Sequence, residues 1–445
     1  MKLDVYAQGI HAGTVEHDRE HRLWTFDYSP SWLQREDRYP LSPALTFTGR
    51  SSLSPEQHSS IVRTFFENLL PEGQALDDAA RASKLSKAET FGLLAALGHE
   101  TAGALEVADG TLAGNRDKKT LRALPLGELS ERIRARPGQP FTVWDGRVRL
   151  SIAGYQDKLA VYEDDKRDWL LVDGSSIAST HIVKPEPIRT ALAGMTSNER
   201  LCMHLASLIG LSTPATQLVH VPEPLLVIQR FDRRRTTDGV DRLHCIDGCQ
   251  LLDLPVGMKY ERQYGHGNDV KHIRDGANLP ALFRMLAEHS PSPAADRLAL
   301  LRWTIFQVLI GNTDAHAKNL SFFVRAAGIE LAPAYDLVCG LEYADKNIED
   351  QLAMAIGDEF SPRSLGAFDW AQFAHNCKLS PRLVARQLRD ICSRAHEALP
   401  IAAARVIEEG GARDTVNAVT EIVKAQISMV KSLADKVIDV PASML

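Results

Sequence analysis

The chain has 445 residues, a formal net charge of −6 and a pI near 6.2. Apolar residues make up 44% and charged residues 24% of it, which is ordinary for a globular protein of two or three domains. The acidic balance argues against nucleic-acid binding over the whole surface, although it leaves room for a local basic face. No apolar run reaches membrane-spanning length and no signal peptide begins at Met1, so we expect a cytoplasmic protein.

The six cysteines are scattered along the sequence. Cys245 and Cys249 lie close together, but no second pair and no histidine pair completes a zinc set. We therefore expect reduced, mostly structural thiols.

A first module, residues 1–110, is predicted to combine strands and helices. Short aromatic and β-branched runs near its start favour strands. A capping pattern that begins at Ser54 predicts one helix, and a second capping pattern predicts another helix from Ser86 to Gly98.

A second module, residues 141–275, is predicted to be rich in strands. Two runs flank a turn of small and polar residues between Arg147 and Tyr162, a pattern that favours a hairpin. A later strand ends at Lys184, and the helix that follows carries Glu199.

Helices dominate the third module, residues 276–445. The segment 298–310 is apolar on most sides and predicts a buried helix. A short hairpin around Gly328 is expected downstream, and it can bring Asp336 back beside Asp314.

The segment Asn312-Thr313-Asp314-Ala315-His316-Ala317-Lys318-Asn319 is the most informative stretch of the chain. Asp314 and Asn319 are five positions apart, and Asp336 lies seventeen residues further on, which is the order of a kinase catalytic loop followed by a metal-holding aspartate. Asp314 would orient the acceptor, Asn319 and Asp336 would hold Mg²⁺ through hard oxygen atoms, and Lys318 would offset phosphate charge. The alternative is a polar loop in which these side chains serve turn chemistry.

Two departures exclude an ordinary eukaryotic-type protein kinase. Asn312-Thr313 stands where many kinases have His-Arg, and Tyr335-Asp336-Leu337 replaces Asp-Phe-Gly.

His316 is a further candidate contact to the cofactor. Its Asp-X-His pattern with Asp314 also suits a metal-dependent phosphohydrolase, although one such pattern is weak evidence.

Residues Ser151 to Lys158 form a candidate lid over a bound triphosphate. A single glycine makes the segment weak as a phosphate loop, and by itself it favours a hairpin turn. The catalytic loop downstream favours the lid, in which backbone N–H groups and Lys158 face phosphate oxygens. The candidate contacts are Ala153, Gly154, Tyr155, Gln156, Asp157 and Lys158.

Two further segments suit nucleotide binding. A lysine at the end of an apolar strand usually reaches towards water, but Lys184 lies where kinases place the lysine that grips the α- and β-phosphates, with Glu199 as a candidate partner. Gln229, Arg230 and Phe231 follow a strand and suit a linker that seats adenine through backbone groups. A plain surface turn is the alternative interpretation of that linker, since side-chain identity says little there.

Arg382, Arg386 and Arg389 share one face of a helix that begins at Ser380-Pro381. This face suits phosphate contacts with DNA. A solvated helix face is the more common outcome.

Taken in order, these segments resemble the HipA family of toxin serine/threonine kinases. The matching pieces are Phe65-Phe66-Glu67-Asn68-Leu69-Leu70-Pro71, Ser151 to Lys158, Thr180-His181-Ile182-Val183-Lys184, Asn198-Glu199, Arg230-Phe231-Asp232-Arg233, Met258-Lys259-Tyr260-Glu261, Thr313 to Asn319 and Tyr335-Asp336. The resemblance implies an α+β, two-lobed protein-kinase-like fold, with a mixed α/β N-terminal portion, an all-helical C-terminal lobe, and ATP and Mg²⁺ as cofactors.

The resemblance also implies roles for particular residues. It makes Asp314 the catalytic aspartate, Asn319 and Asp336 the metal ligands, and Lys184 with the loop 153–158 the nucleotide contacts. It further implies autophosphorylation at Ser151, which would place roughly two negative charges where ATP phosphates bind. Tyr155 departs from the family pattern, which usually has a small residue there.

Partners follow from the same resemblance. It implies a small helix-turn-helix antitoxin of the HipB type, repression of operator DNA by the complex, and a protein substrate such as glutamyl-tRNA synthetase. Two alternatives stay open: a small-molecule kinase of similar fold, and a nucleotide-binding corepressor whose catalysis is vestigial.

Overall fold

The computed structural model describes residues 1–110, 120–136, 138–149, 156–173, 177–237, 239–346 and 349–445. The chain divides into two compact units. The first comprises Met1–Pro185, His220–Val256 and Phe322–Gly328, and the second comprises Glu186–Val219, Gly257–Ser321 and Ile329–Leu445.

The first unit begins with an antiparallel sheet. Its strands are β1 (Lys2–Ala7), β2 (Ile10–Asp18), β3 (Leu23–Tyr28) and β4 (Leu105–Ala108), in the order β3-β2-β1-β4. Alternate residues of β1 are buried, because successive side chains of a strand point to opposite faces. The helices inserted between β3 and β4 are α1 (Pro30–Leu33), α2 (Gly49–Ser52), α3 (Pro55–Glu67), α4 (Gly73–Ala82) and α5 (Thr90–Leu97).

Helix α3 begins where the sequence predicts. The Ser54 side chain accepts from the backbone amide of Gln57, and the Gln57 side chain accepts from the amide of Ser54, which completes a capping box. Two side chains of α3 also accept hydrogen bonds from the edge strand β3: Ser59 Oγ accepts from the amide of Trp24 at 2.8 Å, and a nitrogen of the His58 ring lies 3.3 Å from the amide of Phe26. These two side chains thereby give hydrogen-bond partners to N–H groups that the edge of the sheet would otherwise leave unpaired.

The prediction of a helix starting at Ser86 is wrong. Helix α5 starts at Thr90, and Ser86 instead forms a turn in which its carbonyl accepts from the amide of Glu89 at 2.9 Å. Helix α4 is not predicted from the sequence, because Gly73 resembles a helix stop and is in fact the first residue of a new helix.

A second sheet of the first unit holds two of the candidate nucleotide contacts, Lys184 and Gln229. Its strands include β5 (Thr120–Ala123), β8 (Leu159–Glu163), β9 (Trp169–Asp173), β10 (His181–Pro185) and β12 (Pro224–Gln229), hydrogen-bonded in the order β12-β10-β8-β9-β5. Lys184 lies on β10, opposite Leu226 of β12.

Much of the first strand and turn of the predicted hairpin between Arg147 and Tyr162, residues 150–155, lies outside the described residues. Strand β7 (Arg147–Val148) pairs with β6 (Val143–Trp144) across Asp145 and Gly146. Both turn residues have positive φ, 51° and 72°, as a two-residue Asp-Gly hairpin requires.

The remaining elements of the first unit are short. They are α6 (Leu126–Ala135), β13 (Arg233–Thr236), β14 (Gly239–Arg242), β15 (Cys245–Asp247) and α8 (Gly248–Leu252). The elements that follow in the chain, together with β11 (Thr216–His220), are α7 (Met195–Leu208), α9 (Leu279–His289), α10 (Pro293–Leu309), β16 (Ser321–Arg325), β17 (Gly328–Leu331), α11 (Ala367–Asn376), α12 (Pro381–Glu408) and α13 (Arg413–Leu433).

The core of the second unit is helical. Helix α10 is buried along its last three turns, as its apolar sequence predicts, and α12 packs against α7, α10 and α13. The portion 276–445 is mainly helical and also contains the short strands expected around Gly328.

The six cysteines are free and buried, in agreement with the predicted reduced thiols. Within the part of the chain that the structure describes, no helix has the length and apolar character to cross a membrane.

Candidate active site

The catalytic-loop candidate starts at a tight turn after α10. The amide of Asn312 donates to the carbonyl of Gln307 at 2.9 Å, which ends the helix. Gly311 has φ of 60°, and a Cβ atom at this position would lie 2.6 Å from a methyl group of Leu341. Only glycine fits this close approach, so the turn fixes where residues 312–319 leave the helix.

Asn312 joins the two acidic segments that are expected from the sequence to meet. Its side chain is buried, and Nδ2 donates to Gln307 Oε1 at 2.8 Å and to the carbonyl oxygen of Asp336 at 3.4 Å. Its Oδ1 accepts from the backbone amide of Asp314 at 3.0 Å. One carboxamide therefore contacts the backbones of both Asp314 and Asp336. In the sequence Asn312 marks only a departure from His-Arg; the signal for its role is an asparagine two residues before Asp314, which suits an Asx turn.

The chain after Asp336 is also held against the loop. Asp336 adopts a left-handed conformation with φ of 52°, which aspartate tolerates better than most residues. A Cβ atom at Gly340 would lie 2.1 Å from Thr313 Oγ1 and 3.0 Å from the amide nitrogen of Thr313, so this close approach favours glycine. This contact adds a second link between the segment of Asp314 and that of Asp336.

Asn319 lies in the single turn Ala317–Asn319. Its Nδ2 donates to the carbonyl oxygen of Asp314 at 2.8 Å. With the nitrogen engaged there, the amide presents Oδ1 as its acceptor, and a carboxamide oxygen and a carboxylate are hard ligands of the kind Mg²⁺ prefers. The donor set of Asn319 and Asp336 therefore fits a magnesium ion.

Lys318 and His316 are both buried. The carbonyl of Lys318 accepts a hydrogen bond of 2.8 Å from Tyr335 Oη, which links the loop to the residue before Asp336. Burial, with the nearby charge of Lys259, holds the pKa of His316 well below its ordinary value. His316 is therefore a neutral imidazole, and its Nε2 lies 3.9 Å from Asp314 Oδ1, beyond hydrogen-bond distance.

Tyr260 contacts Asp314 directly, although the sequence pattern predicts no role for it. Its phenolic oxygen donates to Asp314 Oδ1 at 2.5 Å. The residue before it, Lys259, accepts a backbone hydrogen bond of 3.1 Å from Ala317 of the loop. Tyr260 precedes Asp314 by 54 positions, so spacing gives no signal for the contact.

The candidate lid is described only in part. Ser151, Ala153, Gly154 and Tyr155 lie outside the described residues. Lys158 is buried, and a side-chain nitrogen of Gln156 is buried without a hydrogen-bond partner among the described residues.

Asp157 and Lys184 are the other candidates near this sheet. Asp157 forms an ion pair with Arg136 at 3.3 Å, and burial raises the pKa of its carboxyl while Arg136 opposes the rise. Lys184 is buried near the end of β10. Lysine side chains are rarely buried, so Lys184 does not simply extend into water.

The Arg230 side chain serves a structural purpose. Its guanidinium is buried, with Asp232 Oδ2 at 2.7 Å and Glu100 Oε1 at 3.0 Å. Its backbone amide donates to the carbonyl of Thr180 at 2.9 Å. The predicted adenine contact at Arg230 is therefore restricted to its carbonyl oxygen.

Gln229 and Phe231, the neighbours of Arg230, lie in different environments. Gln229 is exposed at the end of β12. The Phe231 ring packs edge-on against Phe323, with centroids 6.0 Å apart. Both remain candidate nucleotide contacts.

The arginine face lies on α12. Arg382 and Arg386 are exposed, whereas Arg389 contacts the carboxylate of Asp435. Only the first two of the three arginines are thus without an acidic partner among the described residues.

Comparison with known proteins identifies a phosphotransferase of the kinase class. The profile of the HipA N-terminal domain matches residues 3–108, and that of the HipA-like C-terminal domain matches residues 150–399. The chain therefore belongs to the HipA family of serine/threonine-protein kinase toxins, which confirms the predicted family.

Individual relatives agree with this assignment. The chain is 36% identical to the serine/threonine-protein kinase toxin HipA of Shewanella oneidensis, over 90% of this chain and 88% of that protein. It is 33% identical to the putative kinase Y4mE of Sinorhizobium fredii, over 92% of each chain. A solved structure of the complex of Shewanella oneidensis HipA, HipB and operator DNA matches with a TM-score of 0.85 and 34% identity, covering 99% of this chain and 100% of that one.

Proposed function

We propose that this chain transfers the γ-phosphoryl group of ATP to a serine or threonine of a protein, and that this activity makes it a growth-inhibiting toxin. The observation that carries the proposal is the Asn312 side chain, which contacts the backbones of both Asp314 and Asp336. In a kinase, the catalytic aspartate and the metal-holding aspartate must lie close together. The Asn312 link would keep Asp314 and Asp336 close in this way.

Asp314 acts on the acceptor. It orients the serine or threonine hydroxyl, whose oxygen forms a bond to the γ-phosphorus as the bond from that phosphorus to its bridging oxygen breaks. The hydroxyl proton passes to the Asp314 carboxylate. Lys318 offsets negative charge on the transferred group.

Asn319 and Asp336 are the proposed ligands of Mg²⁺. When bound, the ion supplies neutralisation of the negative charge on the triphosphate. Lys158 and Lys184, both buried cations of the first unit, are the proposed contacts to phosphate oxygens. Ala153, Gly154, Tyr155, Gln156, Asp157, Gln229, Phe231 and His316, with the carbonyl of Arg230, are retained as further proposed contacts to the nucleotide.

Regulation and partners are proposed from the family. Autophosphorylation at Ser151 would shut the enzyme off by adding charge where ATP phosphates bind. The matching Shewanella complex contains HipB and operator DNA besides HipA. By analogy, we propose a HipB-like helix-turn-helix antitoxin, contact with operator DNA through the complex, and a cytoplasmic location; Arg382 and Arg386 are the proposed direct contacts to DNA phosphates.

Incubation with γ-labelled ATP and Mg²⁺ tests the proposal. The wild-type chain should become labelled, the Asp314→Ala chain should not, and Asp439→Ala, which changes an exposed aspartate outside the site, should label like wild type. Label found only in small molecules would favour a small-molecule kinase. Equal growth inhibition by wild-type and Asp314→Ala chains would favour a corepressor without catalysis.

A further inference from the structure

The carboxylate of Asp314 is not held by packing. Its side chain is 59% exposed, so neighbouring atoms limit its rotation little. A catalytic group must nonetheless be held close to one orientation, because small displacements lower the rate steeply. Some polar contact must therefore supply the orientation that packing does not.

Tyr260 makes such a contact. Its phenolic oxygen lies 2.5 Å from Asp314 Oδ1, within the short range typical of a hydroxyl that donates to a carboxylate. The Tyr260 ring meets the buried His316 ring edge-on, with centroids 5.0 Å apart and planes at 89°. The ring is thus positioned by a side chain of the catalytic loop itself.

The backbone around Tyr260 is fixed on both sides. On one side, the Lys259 carbonyl accepts from the amide of Ala317 at 3.1 Å. On the other, Glu261 is 3% exposed, and its carboxylate accepts from the amide of Ala355 at 2.8 Å and from Arg274 Nε at 2.7 Å. A tyrosine held in this way brings a well-defined hydroxyl to Asp314.

We propose that Tyr260 is a positioning residue for phosphoryl transfer, acting through the hydrogen bond from its hydroxyl to Asp314 Oδ1. The inference rests on the proposed kinase function and adds a residue to it. Tyr260 contacts neither the acceptor nor ATP in this scheme; it sets the orientation of the carboxylate that receives the acceptor hydroxyl.

Tyr260→Phe is the decisive variant, because it removes the hydroxyl and keeps the ring against His316. The measurement is the initial rate of self-labelling from γ-labelled ATP at saturating ATP, together with the ATP concentration that gives half of that rate. We expect the rate to fall roughly tenfold to a hundredfold, as for a misplaced catalytic group. The half-saturating ATP concentration should stay within about twofold of wild type, since the hydroxyl does not contact the nucleotide.

Two comparisons separate positioning from a structural role. Tyr264→Phe removes a hydroxyl from a tyrosine that is 61% exposed and should label like wild type. Tyr260→Ala should be no slower than Tyr260→Phe by more than about threefold if the hydroxyl carries the effect. A Tyr260→Phe chain with the wild-type rate beside a slow Tyr260→Ala chain would show that the ring only packs, and would overturn the proposal.

The remaining outcomes are also informative. A wild-type chain that does not label, or an Asp314→Ala chain that labels normally, overturns the kinase function itself. A faster Tyr260→Phe chain would mean that the hydroxyl blocks the acceptor place, and label recovered on a peptide containing Tyr260 would mean that the hydroxyl is an acceptor. Both results overturn positioning while leaving the kinase function intact.

Discussion

The side-chain nitrogen of Asn312 lies 3.4 Å from the carbonyl oxygen of Asp336, 24 residues further along the chain. The oxygen of the same carboxamide accepts from the amide of Asp314 at 3.0 Å. A single buried side chain therefore links the segment proposed to bind the acceptor to the segment proposed to hold the metal.

Replacing Asn312 by Ala should impair stability and activity together. The change leaves Gln307 Oε1 and the amide of Asp314 without this partner, and losing a buried partner costs about 1–3 kcal/mol. Urea unfolding should show that loss, and self-labelling from ATP should fall at least about tenfold. The exposed Asn376→Ala is the matched control. An Asn312→Ala chain with wild-type labelling would show that the link is dispensable.

Gly340→Ala should be destabilising, because its Cβ atom would lie 2.1 Å from Thr313 Oγ1 and 3.0 Å from the Thr313 amide. The backbone atom cannot move aside cheaply, so we expect a loss of roughly 1–3 kcal/mol in urea unfolding. Gly257→Ala is the control, since nothing lies within 4 Å of its added Cβ atom. Equal stabilities for the two variants would contradict the close approach of these segments.

Arg230→Ala should destabilise the protein by about 3–5 kcal/mol, because it leaves the buried carboxylate of Asp232 and the partly buried carboxylate of Glu100 without one of their cations. Arg234→Ala breaks only a surface pair with Asp241 and should cost less than about 1 kcal/mol. Chemical denaturation of the two variants tests whether Arg230 is structural. A small loss for Arg230→Ala, accompanied by weaker ATP binding, would instead favour a direct role at the nucleotide.

The buried His244 ring should make the free energy of unfolding fall as the pH is lowered into mild acid. Its ring is buried, stacks on Tyr39 and has a ring nitrogen 2.8 Å from the carbonyl of Leu41, and burial lowers its pKa to about 4. The unfolded chain takes up a proton below pH 6.5 while the folded chain does not, so stability falls between pH 6.5 and about 4. The loss is on the order of 3 kcal/mol at most.

Urea unfolding across this pH range isolates the contribution of His244. The difference in stability between pH 7 and pH 4 should shrink in His244→Phe and stay unchanged in His289→Gln, which replaces an exposed histidine. Carboxylates also make the free energy of unfolding depend on pH. The contribution of His244 is therefore measured as the difference between the variants and the wild-type chain in this change from pH 7 to pH 4. An unchanged difference in His244→Phe would contradict a neutral buried ring.

Short-range patterns predicted much of this structure. The capping box at Ser54, the buried helix before Asp314 and the helix that begins at Pro381 all depend on residues within a few positions of each other. The order of Asp314, Asn319 and Asp336 likewise gave the chemical class, because the spacing of a kinase loop is local.

Longer-range contacts were not predictable in the same way. Tyr260 contacts Asp314 only through tertiary packing across 54 positions, and the burial of Arg230 depends on Glu100, which is 130 positions away. A single sequence carries no local sign of such pairs.

Binding of Mn²⁺ in the presence of ATP, followed by electron paramagnetic resonance, tests the central claim most directly. The wild-type chain and Asp439→Ala should bind the Mn²⁺–ATP complex, and Asp336→Ala should bind it at least about tenfold more weakly while remaining folded. An Asp336→Ala chain that binds Mn²⁺–ATP as tightly as wild type would contradict the assignment of Asp336 as a metal ligand beside Asp314, and with it the proposed catalytic centre.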